Sequence, residues 1–182
     1  VNFMYPDGRR KNFYDGKDSM NAEPCLESCK KMLEKTKLAH FNIVNWSRKL
    51  LPIAKELGIT ISCDIQDVVD VNDEYRRDFI EYADILFFSC TNFDDPRPII
   101  EHFRQENKIV ITGMGERGCA LTTKDSIDFF SVLHMEENVI DTNGAGDALA
   151  VGFLASHYLD NYSLKDSILR GQINARYTCT QK

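Results

Sequence analysis

The sequence has 182 residues, of which 43% are hydrophobic and 27% are charged, and its formal net charge is -6 at pH 7. These proportions are those of an ordinary globular protein with one substantial core. The acidic balance argues against a nucleic-acid-binding protein, and no apolar run is long enough to cross a bilayer.

The chain begins with a polar stretch, residues 1–20, that is rich in turn-forming residues. Pro6-Asp7-Gly8 predicts a tight turn, because Pro presets one backbone angle of a turn and Gly accepts a positive one. Two short exposed strands would flank this turn, and a disordered terminus is the alternative. Apolar side chains of the flanks, Phe3 and Phe13 among them, would suit a dimer contact or packing of the hairpin on its own domain.

Helix and strand patterns then alternate four times. Helical patterns cover residues 23–38, 46–57, 72–83 and 96–106, with Gly58 as a C-terminal stop and Pro96 in a first turn. Apolar or β-branched segments lie at 39–45, 59–65, 84–89 and 108–113. Strands of this kind, alternating with helices, predict an α/β fold with a mostly parallel sheet and helices on both faces.

The rhythm changes after residue 118. Two short β segments, 119–123 and 128–133, follow each other without a helix and predict antiparallel or edge strands. A further short strand is expected before a glycine turn and a buried helix, and one more helix is predicted over 163–178. The six cysteines form no CxxC pair. We interpret them as reduced thiols of a cytosolic protein.

The most informative segment is DTNGAGDALAVGFL, residues 141–154. Gly144, Ala145 and Gly146 have little or no side chain, so a phosphate can approach their backbone N–H groups. These groups would lie at a helix N-terminus, where unpaired donors and the helix dipole favour an anion. Local chemistry leaves two roles for Asp147 in the first helical turn: it complements the helix dipole, or it is a base beside the anion.

This segment resembles the C-terminal signature of the ribokinase-like (PfkB) carbohydrate kinases, with a match at every position. The resemblance implies a ribokinase-like fold and a kinase that uses ATP and Mg²⁺ to phosphorylate a hydroxyl group. Asp147 is then the general base, and Gly144, Ala145 and Gly146 form the anion hole. In some relatives the acid at the position of Asp141 helps to hold a monovalent cation such as K⁺; an Asx-type turn is the alternative role.

A second segment, from Thr112 to Gly118, is similar to the Thr-x-Gly-x-x-Gly turn of the same family. The resemblance implies nucleotide contacts by Thr112, Gly113, Gly115 and Gly118, whereas the alternative is a glycine-rich hairpin turn. Asn174, in the last helix, matches an Asn that the family has beside its adenine pocket.

The resemblance also implies a domain division and some departures. Residues 1–20 would be part of a β-lid and 21–182 the nucleotide-binding domain, with the N-terminal part of the family's fold absent, so we interpret the chain as a fragment. The family's Asn-x-x-Glu motif is replaced by Ser89 and Asn92, which puts the usual magnesium network in doubt. Asp64 ends a predicted strand near the expected ligand crevice; we favour the alternative of an ordinary turn residue.

These observations predict a cytoplasmic ATP-dependent kinase for a sugar or sugar derivative, with no nucleic-acid or membrane partner and a homodimer through the lid. A nucleoside such as adenosine is the alternative acceptor. A non-catalytic sugar-binding protein of the same fold is the second class of function. A Rossmann dehydrogenase is disfavoured, because its glycine fingerprint follows the first strand of a βαβ unit.

Overall fold

The computed structural model of the protein describes residues 2–4, 10–13, 15–17, 19, 22–105 and 108–181. The strands are β1 (Asn2–Met4), β2 (Arg10–Asn12), β3 (Leu38–Asn42), β4 (Thr60–Asp67), β5 (Ile85–Ser89), β6 (Ile109–Gly113), β7 (Cys119–Thr122) and β8 (Ile127–Phe130). The helices are α1 (Leu26–Leu33), α2 (Leu51–Glu56), α3 (Arg77–Tyr82), α4 (Arg97–Phe103), α5 (Ala145–Leu154) and α6 (Leu164–Thr178). In these described ranges, no helix combines the length and the apolar character that a membrane span requires.

The first two strands form a small antiparallel sheet of their own, in which Phe3 is opposite Lys11. The predicted turn Pro6-Asp7-Gly8 lies outside the described residues. The Phe3 and Phe13 side chains are exposed and meet edge to face, with ring centroids 5.6 Å apart. The short strands predicted on both sides of the turn are therefore present, and they carry an exposed aromatic pair.

The other six strands form one sheet in the order β3-β4-β5-β6-β7-β8. The first four are parallel, and β7 and β8 are antiparallel additions at one edge. Parallel neighbours need a crossover connection, and α2, α3 and α4 lie in the three connections. The predicted change from parallel to antiparallel pairing after residue 118 is confirmed.

Helices cover both faces of the sheet. Successive side chains of each strand point to opposite faces, so one strand contributes to the core on each side. On β5, Leu86 and Phe88 belong to the core beneath α1 to α4, whereas Ile85 and Phe87 belong to the core beneath α5 and α6. Both faces are buried, which explains why this strand reads as a continuous apolar run. All six cysteines are free, as predicted.

Several helices are shorter than the helical patterns that predicted them. The pattern over 72–83 yields only α3, because Asp70 and Asp73 accept hydrogen bonds from Asn72 N–H and Tyr75 N–H (both 2.9 Å) and stabilise turns in place of a first helical turn. The residues over 46–57 divide into a 3₁₀ turn, Ser47–Leu50, and α2. Gly58 ends this helical region with a φ of 67°, as predicted.

Candidate active site

Asp64, toward the carboxyl end of β4, and the turn around Gly115, which follows β6, lie at the edge of the sheet where ligands bind in open α/β sheets. The N-terminus of α5 lies at this edge. The approach to α5 is an extended segment and not the predicted strand: the N–H groups of Ile140 and Asp141 both donate to the Cys179 carbonyl, at 2.8 and 3.2 Å. The end of α6 therefore holds this segment in place of a neighbouring strand.

Asp141 stabilises the turn that follows it. Its Oδ1 accepts the Asn143 N–H (2.9 Å), and its Oδ2 accepts a hydrogen bond from the Asn143 side-chain amide (3.2 Å). This is the Asx-type turn that the sequence offered as one of two roles. Because both carboxylate oxygens are engaged by Asn143, a monovalent cation at Asp141 stays a prediction.

The residues from Thr142 to Asp147, called here the helix-start turn, bring bare amides to the surface. Gly144 is in the left-handed region, with φ 79°, and precedes the first residue of α5. Ala145 N–H bonds to the Thr142 carbonyl (3.3 Å) and Ala148 N–H to the Gly144 carbonyl (2.8 Å). In the described part of the chain, the N–H groups of Gly146 and Asp147 have no protein acceptor. An anion bound at this position would accept hydrogen bonds from these two N–H groups.

The space above the helix-start turn is open. A Cβ built on Gly146 would meet no atom within 4 Å, and Asp147 is exposed. The Asp147 carboxylate and the bare amides of the turn are therefore accessible together from solvent. This accessibility is what the predicted general base and anion hole require.

Asp64 is a second carboxyl group at this edge, and the sequence favours an ordinary turn role for it. Its Oδ1 does accept the Gln66 N–H (2.7 Å) in a local turn. However, the residue is only 8% exposed, and it points to the α5 face, as Ser62 does. Burial raises the pKa of Asp64 to about 6, and the charges of Asp147 and Asp67 add to the rise against the Gln66 hydrogen bond.

The end of β4 is distorted where Asp64 lies. The strand pairing shifts between Asp64 and Asp67, and Gln66 has a positive φ of 59°. Arg76 fixes this bulge, since its Nε and Nη2 donate to the carbonyls of Ile65 (2.9 Å) and Asp67 (3.0 Å). Bulges often aim a side chain near a functional site. No feature of the sequence predicted this one, so sequence reasoning undervalued Asp64.

His40, which the sequence interpretation did not consider, also lies near Asp147. Its Nδ1 is 2.9 Å from the Ser62 hydroxyl, and its ring meets Phe87 edge to face. Partial burial lowers the pKa of His40, and the negative charge of Asp147 opposes this effect. A histidine within a short, mostly apolar segment gives no signal of such a neighbour.

The second motif forms a hairpin turn between β6 and β7, the alternative stated for it. Gly115 and Gly118 have positive φ angles of 62° and 93°. A Cβ on Gly118 would lie 2.0 Å from the Phe130 carbonyl oxygen, so only glycine fits there. The role of Gly113, Gly115 and Gly118 in nucleotide binding stays a prediction.

Thr112 does not have the exposure expected of a nucleotide contact. Its side chain is fully buried, and in the described ranges its hydroxyl has no hydrogen-bond partner. It points to the core beneath α4 because it shares the strand face of Val110. The side chain of Thr112 is therefore not accessible from the surface, and nucleotide contact by Thr112 stays a prediction.

Asn174 joins α6 to α5. Its side-chain amide donates to the carbonyl of Ala148 (2.8 Å), one residue after Asp147. The two helices approach closely beside it, because a Cβ on Gly152 would lie 2.9 Å from the Gly171 Cα. Asn174 thus supports the first turn of α5, and the adenine contact stays a prediction.

The segment after β5, residues 90–96, is called here the β5 loop. Ser89, at the end of β5, and Asn92, in this loop, occupy the positions where the family's Asn-x-x-Glu motif is expected. A cavity of about 350 Å³ separates this loop from Gly115–Gly118 and is lined by Thr91, Phe93, Asp94, Met114, Gly115, Glu116 and Arg117. Over the part of the chain that the structure describes, no three His, Cys, Asp or Glu side chains gather as a metal site.

Residues 64–182 match the pfkB family carbohydrate kinases. The acarbose 7(IV)-phosphotransferase of Actinoplanes sp. is 28% identical over 99% of the chain and 61% of its own length. Fructokinase-2 of Solanum lycopersicum is 26% identical over 93% of the chain and 49% of its own length.

Among solved structures, a microbiome-derived acarbose kinase superposes with a TM-score of 0.83 and 26% identity, over 100% of this chain and 62% of that one. The chain thus spans about half to three fifths of the length of these relatives.

Proposed function

Because the chain belongs to the pfkB family of carbohydrate kinases, we propose that it phosphorylates a hydroxyl group of a sugar or sugar derivative with ATP. The observation that carries the proposal is the start of α5. There the exposed Asp147 carboxylate stands beside two backbone amides that have no acceptor among the described residues. A base beside an anion site is the minimum equipment for moving a phosphoryl group to a hydroxyl.

In this proposal the acceptor hydroxyl gives its proton to Asp147 and forms a bond to the γ-phosphorus, while the bond between that phosphorus and the β–γ bridging oxygen breaks and ADP leaves. The N–H groups of Gly146 and Asp147, which follow the left-handed turn at Gly144, stabilise the negative charge on the transferring group. They need no rearrangement for this, because the Asx turn of Asp141 already fixes the helix-start turn. Preorganised donors of this kind contribute strongly to catalysis.

We assign Mg²⁺ to the MgATP substrate. The described residues form no cluster that would cage the ion, and this fits an ion that keeps its waters and binds mainly through nucleotide phosphates. When bound, it neutralises charge on the phosphate oxygens. A K⁺ ion would require Asp141 to share oxygens that already bond to Asn143.

For the acceptor we propose a sugar or a sugar derivative. The relatives named for acarbose and fructose support this class. A nucleoside such as adenosine is the second candidate. A non-catalytic sugar-binding protein is less well supported, since a protein without turnover has no need of an exposed carboxylate beside bare amides.

We further propose that residues 1–20 belong to a lid over the acceptor and that 21–182 form the nucleotide-binding domain. The exposed pair Phe3 and Phe13 would meet either the acceptor side of the site or a second copy in a homodimer. Free cysteines throughout are consistent with a cytoplasmic protein.

The test is an assay of ADP formation by the whole protein with MgATP and a panel of sugars, sugar derivatives and nucleosides. We expect turnover with one or more sugars and a phosphate ester in the product. Turnover only with nucleosides would support the alternative kinase. Sugar binding by calorimetry without ADP formation would support the non-catalytic protein.

A further inference from the structure

The Arg117 side chain connects the β6–β7 turn to the β5 loop, at the edge of the sheet where β5 and β6 end. It is exposed, yet its guanidinium donates from Nη1 to the Asp94 carbonyl (2.6 Å) and from Nη2 to the Phe93 carbonyl (2.8 Å). Both acceptors are main-chain atoms in the middle of the β5 loop. The planar fork of arginine suits this paired geometry, which a lysine ammonium cannot reproduce.

The two loops that Arg117 joins are the opposite walls of the 350 Å³ cavity. One wall contains Thr91, Phe93 and Asp94, and the other contains Gly115 and Glu116. The walls already touch at one end, where a Cβ on Gly115 would lie 3.1 Å from the Thr91 Cγ2. Arg117 fixes the other end, so its side chain sets the width of the cavity.

Within the β5 loop, Cys90 is buried and the partly buried Phe93 side chain packs against the core, while few main-chain bonds hold the residues that follow. Beyond Ser89 the sheet pairing has ended, and Cys90 N–H bonds to the Gly113 carbonyl (2.9 Å). Phe93 N–H then bonds back to Cys90 within the loop (3.0 Å). The bonds from Arg117 thus tie the outer half of the loop to the turn.

We propose that Arg117 is a positioning residue for nucleotide binding, which holds the β5 loop at a fixed distance from Gly115–Gly118 so that part of a nucleoside triphosphate fits between them. This inference rests on the proposed function. In this proposal Arg117 acts by shaping the cavity, because the bonds of its guanidinium among the described residues, from Nη1 and Nη2, both go to main-chain carbonyls of the β5 loop.

The experiment measures the Kd of the whole protein for a fluorescent ATP analogue, together with the ATP and acceptor KM values. Arg117→Gln and Arg117→Lys should both raise the nucleotide Kd by about tenfold, equivalent to about 1.4 kcal/mol, and leave the acceptor KM within about twofold. Arg97→Gln is the matched control, because Arg97 lies nearby and, among the described residues, its Nε donates to the Asp95 carboxylate (3.0 Å) and its side chain bonds to no loop carbonyl. It should leave every value within about twofold.

Two results would overturn the inference. One is an unchanged nucleotide Kd in Arg117→Gln. The other is a nucleotide Kd in Arg117→Lys equal to that of the unmodified protein. This would mean that the positive charge of the side chain, and not the planar geometry of its guanidinium, is what matters. If the unmodified protein binds no nucleotide, the proposed function and this inference are both rejected.

Hydrogen exchange on the unmodified protein keeps the test independent of how the variants fold. Addition of ATP should slow exchange of the amides in the β5 loop as well as in Gly115–Gly118, because the two walls hold the ligand jointly. Slower exchange confined to Gly115–Gly118 would contradict the inference even if the kinase activity is established.

Discussion

Asp64 and Asp147 come from different layers of the fold, yet their carboxyl groups are electrostatic neighbours. Asp64 lies in an inner strand where its bulge begins, and Asp147 lies in the first turn of a helix packed on the sheet. Burial is the main reason that the pKa of Asp64 rises to about 6, and the charge of Asp147 adds to it. The site therefore holds one buried and one exposed acid, which have different consequences for stability and turnover.

The raised pKa of Asp64 predicts how stability depends on pH. The ordinary pKa is 3.8 and the folded value is about 6, so the unfolded chain releases this proton first as pH rises. Stability from this residue is fully present below about pH 4 and is lost as pH rises through about 6. At pH 7 the Asp64→Asn variant should be more stable than the unmodified protein by up to about 3 kcal/mol.

Urea unfolding at pH 4 and pH 7 measures this effect. The advantage of Asp64→Asn should be near zero at pH 4 and appear at pH 7. Asp125→Asn, which removes a carboxylate from an exposed turn, is the control for a simple change in net charge. An Asp64→Asn advantage of the same size at both pH values would contradict the buried-acid account.

The two positive-φ glycines of the β6–β7 turn should differ in their tolerance of alanine. At Gly118 a Cβ would lie 2.0 Å from the Phe130 carbonyl oxygen, and the backbone cannot yield without breaking the β7–β8 edge. Gly118→Ala should therefore cost more than about 3 kcal/mol. At Gly115 the nearest atom is the Thr91 Cγ2 at 3.1 Å, and Gly115→Ala should cost about 1–2 kcal/mol. Chemical denaturation of the two variants decides this, and equal losses would refute it.

The α5–α6 contact provides a stability prediction away from the turns. A Cβ on Gly152 would lie 2.9 Å from the Gly171 Cα and 3.1 Å from the Asn174 Cβ. Gly152→Ala should destabilise the protein by about 1–3 kcal/mol through overpacking. Gly146→Ala, in the same helix but with no atom within 4 Å, should cause no loss and raise helix propensity by up to about 1 kcal/mol.

Thermal unfolding compares these two variants, and an equal loss in both would contradict the packing account. Gly146→Ala should nevertheless weaken binding of ATP, because its methyl group would stand over the bare amides of the helix-start turn. A variant that is stable but deficient in nucleotide binding separates the function of this glycine from any role in folding.

Much of the fold could be predicted because two strong patterns agree with it. The apolar strands and the helical patterns between them predicted the parallel layers, and the lack of a helix between 119 and 130 predicted the antiparallel edge. The segment that enters the glycine turn was wrongly predicted as a short strand, because its apolar residues suggested sheet pairing. Its backbone instead bonds to Cys179, almost forty residues away in the sequence, and such a contact leaves no local trace.

The parts of the site that depend on neighbouring residues in the sequence could be predicted. The parts that depend on how a strand pairs with its neighbours could not. The bare amides beside Asp147 follow from glycines at a helix start, which a sequence displays directly. The burial of Thr112 and the approach of Asp64 to Asp147 depend on which face of a strand each side chain occupies. The bulge at Gln66 sets part of that arrangement, and its positive φ on a non-glycine residue could not be anticipated.

The central claim is that Asp147 is the base for phosphoryl transfer, and the turnover of Asp147→Asn tests it most directly. Asn keeps the size of the side chain and removes its basicity, so kcat should fall by about 10²–10⁴-fold while the Kd for ATP stays within a few-fold. The measurement is ADP formation by the whole protein with its best acceptor, alongside calorimetric ATP binding. Turnover close to that of the unmodified protein would contradict the assignment, whatever the fold of the chain.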